Sequence, residues 1–486
     1  MEIKGKKILI FGLARSGVGA ANLLARSGAE VTVTDKKSKG ELTVFIERLW
    51  PSVRLALGGH PDGIFKNTDL IVVSPGVPLD IPPLKKAKNA GIKIIGELEL
   101  AYQIISDQQS AISNQPNILA VTGTNGKSTT TILLYEMVKN SGFKAMLGGN
   151  IGNALTEEVM EKVKAKSEVE SKENLNLNLK LDLDFVVAEV SSFQLESIDE
   201  FRPNGAAILN ITPDHLDRYH HSMDEYRDAK AQVFLNQKEE DFLVLNADDP
   251  EVMKTESEKL KVKSEKPKSF YFSRQREVEG IYFKKGMLYC NFSHLPLTPD
   301  PLPLISASDI KIKGVHNLEN AMAASAMALL AKCPVDAIVK TLKEFPGLEH
   351  RLEFVRDLDG VDYINDSKGT NVGAVIKSLE SFSAPVILIA GGRDKAGDFS
   401  ILRPLVKERV KALVLIGEAG EKINKALGDL TETRFANDFK EAVMISRRCA
   451  SRGDVVLLSP ACASFDMFRD FEDRGRQFKK IVGDLN

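Results

Sequence analysis

The residues with the clearest chemical potential lie in AVTGTNGKSTTT (residues 120–131), where an apolar strand pattern runs into a glycine-rich turn and then a helix opening with Lys127, Ser128 and Thr129. Backbone N–H groups around Gly123, Thr124, Asn125 and Gly126 can converge on phosphate oxygens in such a turn. The helix N-terminus favours anions, Lys127 adds a point charge, and the Ser128 hydroxyl can reach a magnesium ion. The reading is an ATP site. The match to the general phosphate loop is partial, because Val121 stands where that pattern has its first glycine, and a purely structural Gly-Lys-Ser turn is the alternative.

A second glycine turn, GLARSGVG from Gly12, follows the first strand pattern, with Asp35 ending the next one, where a dinucleotide fold places a ribose-binding acid. Ala14 replaces the central glycine of that fingerprint and would crowd a pyrophosphate, so NAD is disfavoured. Two readings stay open for this turn: a ligand site, or a tight strand-to-helix connection that binds nothing.

Further along, FVVAEVSS places Glu189 at the end of a buried strand pattern, the edge where open α/β sheets bind ligands and a carboxylate can hold magnesium between phosphates. AAILNIT then delivers Asp214, His215 and Asp217 just past another strand end. A lone histidine is more often a satisfied polar residue than a ligand, but here an acid and a phosphate loop converge on the same edge. Lys230, in YRDAKAQVF, carries no such support; an arbitrary lysine is expected to be a solvated charge.

These groups need several sheets to position them. Residues 1 to about 105 alternate short apolar runs with helical patterns: KKILIFG, a helix from about Gly17, EVTVTD, TDLIVVSPG and IKIIGE. Residues 106–117 read as a linker, and ILAVTG opens a second unit carrying FVVAEVSS, AAILNIT, DFLVLNADD and the Ala-rich HNLENAMAASAMALLAK. Beyond about Pro346, PVILIAGG, KALVLIG and DVVLLSPA alternate with helical segments. The expected fold is α/β with three domains: N-terminal Rossmann-like (1–105), central P-loop ATPase-like (106–346) and C-terminal Rossmann-like (347–486). Residues 161–183 are Lys/Glu/Asn-rich and then alternate Leu with polar residues, which suits a surface loop or a protruding edge strand without a catalytic role.

The chain has 486 residues, 43% of them apolar and 27% charged, with a net charge of -2. Such a length calls for more than one core, and the charge balance gives no reason to expect a nucleic-acid partner. Four cysteines without a CxxC pair indicate neither zinc nor a disulfide framework, and no apolar run approaches a membrane span, so a cytoplasmic protein without membrane insertion is expected.

Ten motifs, in order and across nearly the whole chain, resemble the Mur ligase family, and in detail its D-glutamate-adding members. They are GTNGKST, GGNIG, EVSSFQLE, NITPDHLDRY, YRDAK, GVHNLEN, EHRLE, INDSKGTN, GGRDKAGDF and LSPACASFDMF. The departures are the 161–183 insertion, Gly369 where alanine is usual, and GLEHR where GLPHR is usual; none removes a polar functional group.

The resemblance implies ATP-dependent joining of D-glutamate to UDP-N-acetylmuramoyl-L-alanine through an acyl phosphate, by an enzyme expected to be a monomer. It implies that Lys127, His215 and Lys230 are catalytic. Ser128 and Glu189 would serve one magnesium ion, and His215 with a carbamylated Lys230 a second. Asn317, Asn320, Arg351 and Asp366 would join the phosphate loop around ATP. Lys368, Thr370, Lys395, Ser464 and Phe471 would surround D-glutamate, Asn150 would touch the sugar-peptide, and Arg15, Ser16 and Asp35 the uridine end. The turn at Gly12 thereby acquires a role without NAD. The readings weighed against this are another ligase of the same fold, a Rossmann oxidoreductase and a non-enzymatic nucleotide switch. NDSKGTN and SPACASFD count against the first, and Ala14 with a separate ATP loop against the second.

Overall fold

The computed structural model of the chain describes residues 2–107, 115–166, 181–260, 265–293, 301–394 and 397–485. They form two compact units: Met1–Ile211, Leu216–Ile305 and Ala321–Thr341 in one, Thr212–His215, Ser306–Asn320 and Leu342–Asn486 in the other.

The first unit contains two sheets. One consists of β1 (Lys7–Phe11), β2 (Glu30–Asp35), β3 (Arg54–Leu57), β4 (Leu70–Val73) and β5 (Lys93–Gly96), all parallel in the order β3-β2-β1-β4-β5. Both faces are covered: Ile8, Ile10, Val31, Val33 and Val72 join one core, and Leu9, Phe11, Ile71 and Val73 another. Two covered faces explain strands that read as continuous apolar runs. The helix after β1 spans Arg15–Arg26, starting two residues ahead of the expected Gly17. Strand order reverses between β1 and β4, so the Gly12 turn sits at the switch point where such sheets take ligands.

The second sheet has β6 (Asn117–Thr122), β7 (Ala145–Gly149), β8 (Phe185–Glu189), β9 (Gly205–Ile208), β10 (Phe242–Asn246), β11 (Lys268–Ser273), β12 (Gly280–Lys284), β13 (Met287–Asn291) and β14 (Leu302–Ser306), in the order β14-β13-β12-β11-β10-β9-β6-β8-β7. It is parallel from β7 to β12, and β12 turns back antiparallel onto β13. The turn is Lys285-Gly286, both at positive φ (48° and 81°), the conformation a two-residue hairpin demands. Of the 161–183 segment, residues 161–166 complete the helix Leu155–Lys166 rather than a loop or strand, and residues 167–180 lie outside the described residues. So do residues 108–114 of the expected linker.

Two buried glutamates bolt these sheets into one body. Glu97, 1% exposed, accepts from the N–H and hydroxyl of Thr156, both at 2.7 Å. Glu99, fully buried, accepts from the N–H groups of Asp199, Glu200 and Phe201 at 2.9, 3.0 and 2.9 Å.

The second unit holds β15 (Glu353–Leu358), β16 (Val361–Asn365), β17 (Val386–Gly391), β18 (Val410–Ile416), β19 (Glu432–Phe435) and β20 (Val455–Leu458), in the order β15-β16-β20-β17-β18-β19. Only the β15–β16 pair is antiparallel. Alternate residues of β17 face opposite cores, Leu388 on one side and Ile387 and Ile389 on the other. The three sheets match the expected α/β class with a Rossmann-like N-terminal, an ATPase-like central and a Rossmann-like C-terminal part.

Candidate active site

The phosphate loop leaves β6 and enters the helix Lys127–Asn140 through Gly126, whose φ of 83° is open to glycine at little cost. Gly123 stands at φ 147°, where a Cβ would lie 3.0 Å from that of Leu209. The loop carbonyls are tied down from inside. Lys127 Nζ donates to the carbonyls of Gly123 and Thr124 at 2.9 and 2.8 Å, and Lys230 Nζ donates to Gly123 at 2.9 Å. Ser128 and Thr129 are buried in the first helical turn.

Lys230 is 1% exposed, on the helix Met223–Ala231, with its ammonium 4.5 Å from the centre of the Tyr226 ring. The expectation of a solvated lysine is therefore overturned. A buried lysine carries a function more often than an exposed one, because its desolvation has to be offset. Tyr226 Oη lies 3.2 Å from Thr124 Oγ1, so the same helix reaches the loop twice.

Glu189 ends β8, in register with Val121 of β6, which places it one strand from the loop on the same sheet edge. It is 2% exposed; Asn150 Nδ2 donates to its Oε1 at 2.8 Å, while Oε2 has no hydrogen-bond partner among the described residues. A buried carboxylate oxygen left open suits a hard cation. No group of three or more His, Cys, Asp or Glu side chains among the described residues is arranged to hold a metal, so a magnesium site here needs mixed donors such as the Ser128 hydroxyl.

At the N-terminal turn, Asp35 accepts from the N–H groups of Leu13 at 2.7 Å and Lys37 at 2.9 Å. Ser74 Oγ donates to Gly12 O at 2.8 Å. Arg15 Nη1 donates to Gly152 O at 2.7 Å, bringing this turn to the loop that carries Asn150; Ser16 lies in the first turn of the adjoining helix. Arg218, beside the PDH segment, donates to the carbonyls of Gly76 and Val77 at 3.4 and 3.2 Å and pairs with Glu196 at 2.6 Å. Its spacing in the sequence carried no sign of this.

His215 belongs to the second unit, at φ 53° and 41% exposed, with its ring 3.7 Å from Asp214. In the same unit Asn320 Nδ2 donates to Asn317 Oδ1 at 3.2 Å, one helical turn away. Burial and the charge of Arg351 push the neighbouring His316 down to about 4, so it is neutral at physiological pH. Asp366 is held by the hydroxyls of Ser378 at 2.6 Å and Ser459 at 2.8 Å; burial outweighs them and pushes its carboxyl up to about 6. A Cβ on Gly369 would fall 2.5 Å from Asp366 Oδ2, which accounts for glycine at that position. Lys368 Nζ lies 3.8 Å from the centre of the Phe471 ring, a cation–π contact that joins two expected site residues. Thr370 follows in the same loop and Ser464 is buried. Lys395 lies outside the described residues.

Comparison with known proteins accords with this geometry. Residues 121–328 match the Mur ligase middle domain, 6–96 the N-terminal domain of the MurD-like Mur ligases, and 350–462 the Mur ligase glutamate ligase domain. The chain is 46% identical to the UDP-N-acetylmuramoylalanine–D-glutamate ligase of Citrifermentans bemidjiense over 99% of its own length and 98% of that relative. It is 42% identical to the ligase of the same name from Clostridioides difficile, over the full length of both. Among solved structures, the fold is similar to UDP-N-acetylmuramate-alanine ligase from Thermotoga maritima (TM-score 0.58, 18% identity, 98% of this chain and 99% of that one). It is also similar to the MurF ligase of Thermotoga maritima in complex with ADP (TM-score 0.59, 15% identity, 99% and 98%). A phosphate loop, a buried strand-end carboxylate and full-length identity above 40% converge on one conclusion: the chain belongs to the Mur ligase family.

Proposed function

We propose that the protein is an ATP-dependent ligase that adds D-glutamate to UDP-N-acetylmuramoyl-L-alanine, a step of peptidoglycan precursor synthesis. The full-length likeness to ligases named for that reaction supports the substrates. The observation that carries the chemistry is Glu189, a buried carboxylate with one open oxygen, one strand from a lysine-bearing phosphate loop. The reading divides the chain into a uridine-binding part (1–105), an ATP-binding part (106–346) and an amino-acid-binding part (347–486), working as a monomer in the cytoplasm.

A carboxylate is a poor acyl donor. Its oxygen attacks the γ-phosphorus of ATP, ADP leaves, and the acyl phosphate is then attacked at its carbonyl carbon by the amine of D-glutamate. Phosphate leaves with the C–O bond electrons and the amine gives up a proton. Lys127 neutralises charge on the transferring phosphoryl group, and N–H groups at the start of the helix Lys127–Asn140 orient it. Asn150 holds one oxygen of Glu189, which leaves the other to a cation. Magnesium would supply Lewis-acid charge neutralisation; the family motifs would give Ser128 and Glu189 to one ion, and His215 and Lys230 to a second. Carbamylation of Lys230 would convert a cation into an oxygen ligand. Asn317, Asn320, Arg351 and Asp366 serve the adenosine end, Lys368, Thr370, Lys395, Ser464 and Phe471 the amino acid, and Arg15, Ser16 and Asp35 the uridine.

Phosphate release is expected only with ATP, magnesium, UDP-N-acetylmuramoyl-L-alanine and D-glutamate together, and not with L-alanine, L-lysine or diaminopimelate in place of D-glutamate. Equal release with any of those amines would overturn the substrate assignment. For Lys230→Ala, most activity should be lost and partly restored by short-chain carboxylates; loss without rescue would remove the carbamate, and full activity would remove the role altogether.

A further inference from the structure

The phosphate loop is held from its outer side by one side chain. Asn210, just past the end of β9, accepts from the Asn125 N–H through Oδ1 at 2.8 Å and donates to the Asn125 carbonyl through Nδ2 at 3.0 Å. Its own carbonyl accepts from the Thr124 N–H at 2.8 Å. A side-chain amide thus pairs with both polar groups of one loop residue, as a neighbouring strand would, and the strand end continues the ladder by one backbone bond. β6 and β9 are adjacent and parallel, so the clamp extends a sheet that would otherwise stop at Thr122.

We infer that Asn210 is a positioning residue that sets the loop for nucleotide phosphates before they arrive. The inference rests on the loop being the ATP site. Three bonds to Thr124 and Asn125 on one side, with Lys127 and Lys230 drawing on the Gly123 and Thr124 carbonyls on the other, leave the peptide at Asn125 little freedom to rotate. Asn210 takes the Thr124 and Asn125 N–H groups for itself, and what it fixes is the path of the loop into the helix at Lys127; a loop already ordered binds more tightly than one that must be ordered at binding. Asn210 also starts the NITPDH segment, so the residue that braces the loop is joined by five chain positions to His215.

Two variants test the assignment. Asn210→Ala removes both side-chain bonds. Asn210→Asp keeps the acceptor for the Asn125 N–H, loses the donor, and adds a negative charge beside the phosphate site. The readouts are the rise in melting temperature of the full-length protein on adding magnesium ADP, and the Michaelis constants for ATP and for D-glutamate. In Asn210→Ala the nucleotide-induced shift should fall and the KM for ATP rise about tenfold, the size expected for two lost hydrogen bonds, with KM for D-glutamate unchanged. Asn210→Asp should bind ADP more weakly still. A purely structural role would lower the melting temperature without separating the two KM values. Wild-type ADP affinity in either variant would overturn the clamp. A wild-type protein with no ADP-induced shift would instead overturn the ATP site, and with it the need for a clamp.

Discussion

The Gly12 turn and the phosphate loop are both strand–turn–helix connections at the C-terminal edges of parallel sheets, yet the charged side chains set against them are of opposite sign. At Gly12 a carboxylate faces the turn: Asp35 accepts from the Leu13 N–H, while the Ser74 hydroxyl donates to the Gly12 carbonyl. At Gly123 the carbonyls are taken by Lys127 and Lys230. A turn whose N–H group faces a fixed carboxylate repels a phosphate, whereas one whose carbonyls hold the Lys127 ammonium attracts it. Two similar patterns in the sequence therefore give turns of different character: one is set against the carboxylate of Asp35, the other against the ammonium of Lys127.

Substitutions on each side sharpen this contrast. The largest effect belongs to Lys127→Ala, for which turnover measured by phosphate release should fall by about a thousandfold or more, with circular dichroism unchanged, since the charge acts on the transferring group and not on a core. Near-normal release from a folded variant would erase the distinction between the turns. Gly17→Ala should act on the other turn and through stability. A Cβ there would sit 2.2 Å from the Gly12 carbonyl, inside the fold, so urea unfolding should show a loss of about 2–4 kcal/mol, with ADP affinity unchanged in the protein that remains folded.

A smaller effect is expected for Asp35→Ala, which leaves the Leu13 and Lys37 N–H groups without their acceptor. The KM for the UDP substrate should rise about tenfold while that for ATP stays constant, and a matching rise in both would show that the two turns are not independent. The mildest is Gly126→Ala. Its φ of 83° strains any L side chain by about 1 kcal/mol, which should appear as a few-fold weaker ADP binding in calorimetry. An effect as large as that of Lys127→Ala would mean that loop shape, not charge, dominates the site.

Much of the architecture was legible from patterns of short range. The strands β1, β6, β8 and β17 announced themselves as apolar runs because both faces of a parallel sheet are covered. Other features were not legible. The β12–β13 hairpin was missed because its Lys-Gly turn is an uncommon form of the two-residue signal, and the helix Leu155–Lys166 ran into a segment read as loop because its polar face resembles one. The partners of Glu97 and Glu99 were not legible either, since the N–H groups of Thr156 and of residues 199–201 lie 59 or more positions away along the chain.

By itself, the sequence determined that a glycine-rich loop enters a helix at Lys127, that Glu189 ends a strand and Asp214 and His215 follow another, and that three α/β parts follow one another. Each of those features is built within about a dozen residues, and local spacing encodes local geometry. Only the tertiary structure decided that Lys230 is buried against Gly123, that Asn150 orients Glu189, that Asn210 braces Asn125, and that Glu97 joins two sheets through Thr156. Those pairs lie 107, 39, 85 and 59 positions apart. Hydrogen bonds of this kind depend on which strands become neighbours, and strand order is settled by the packing of whole sheets, not by any run of residues along the chain.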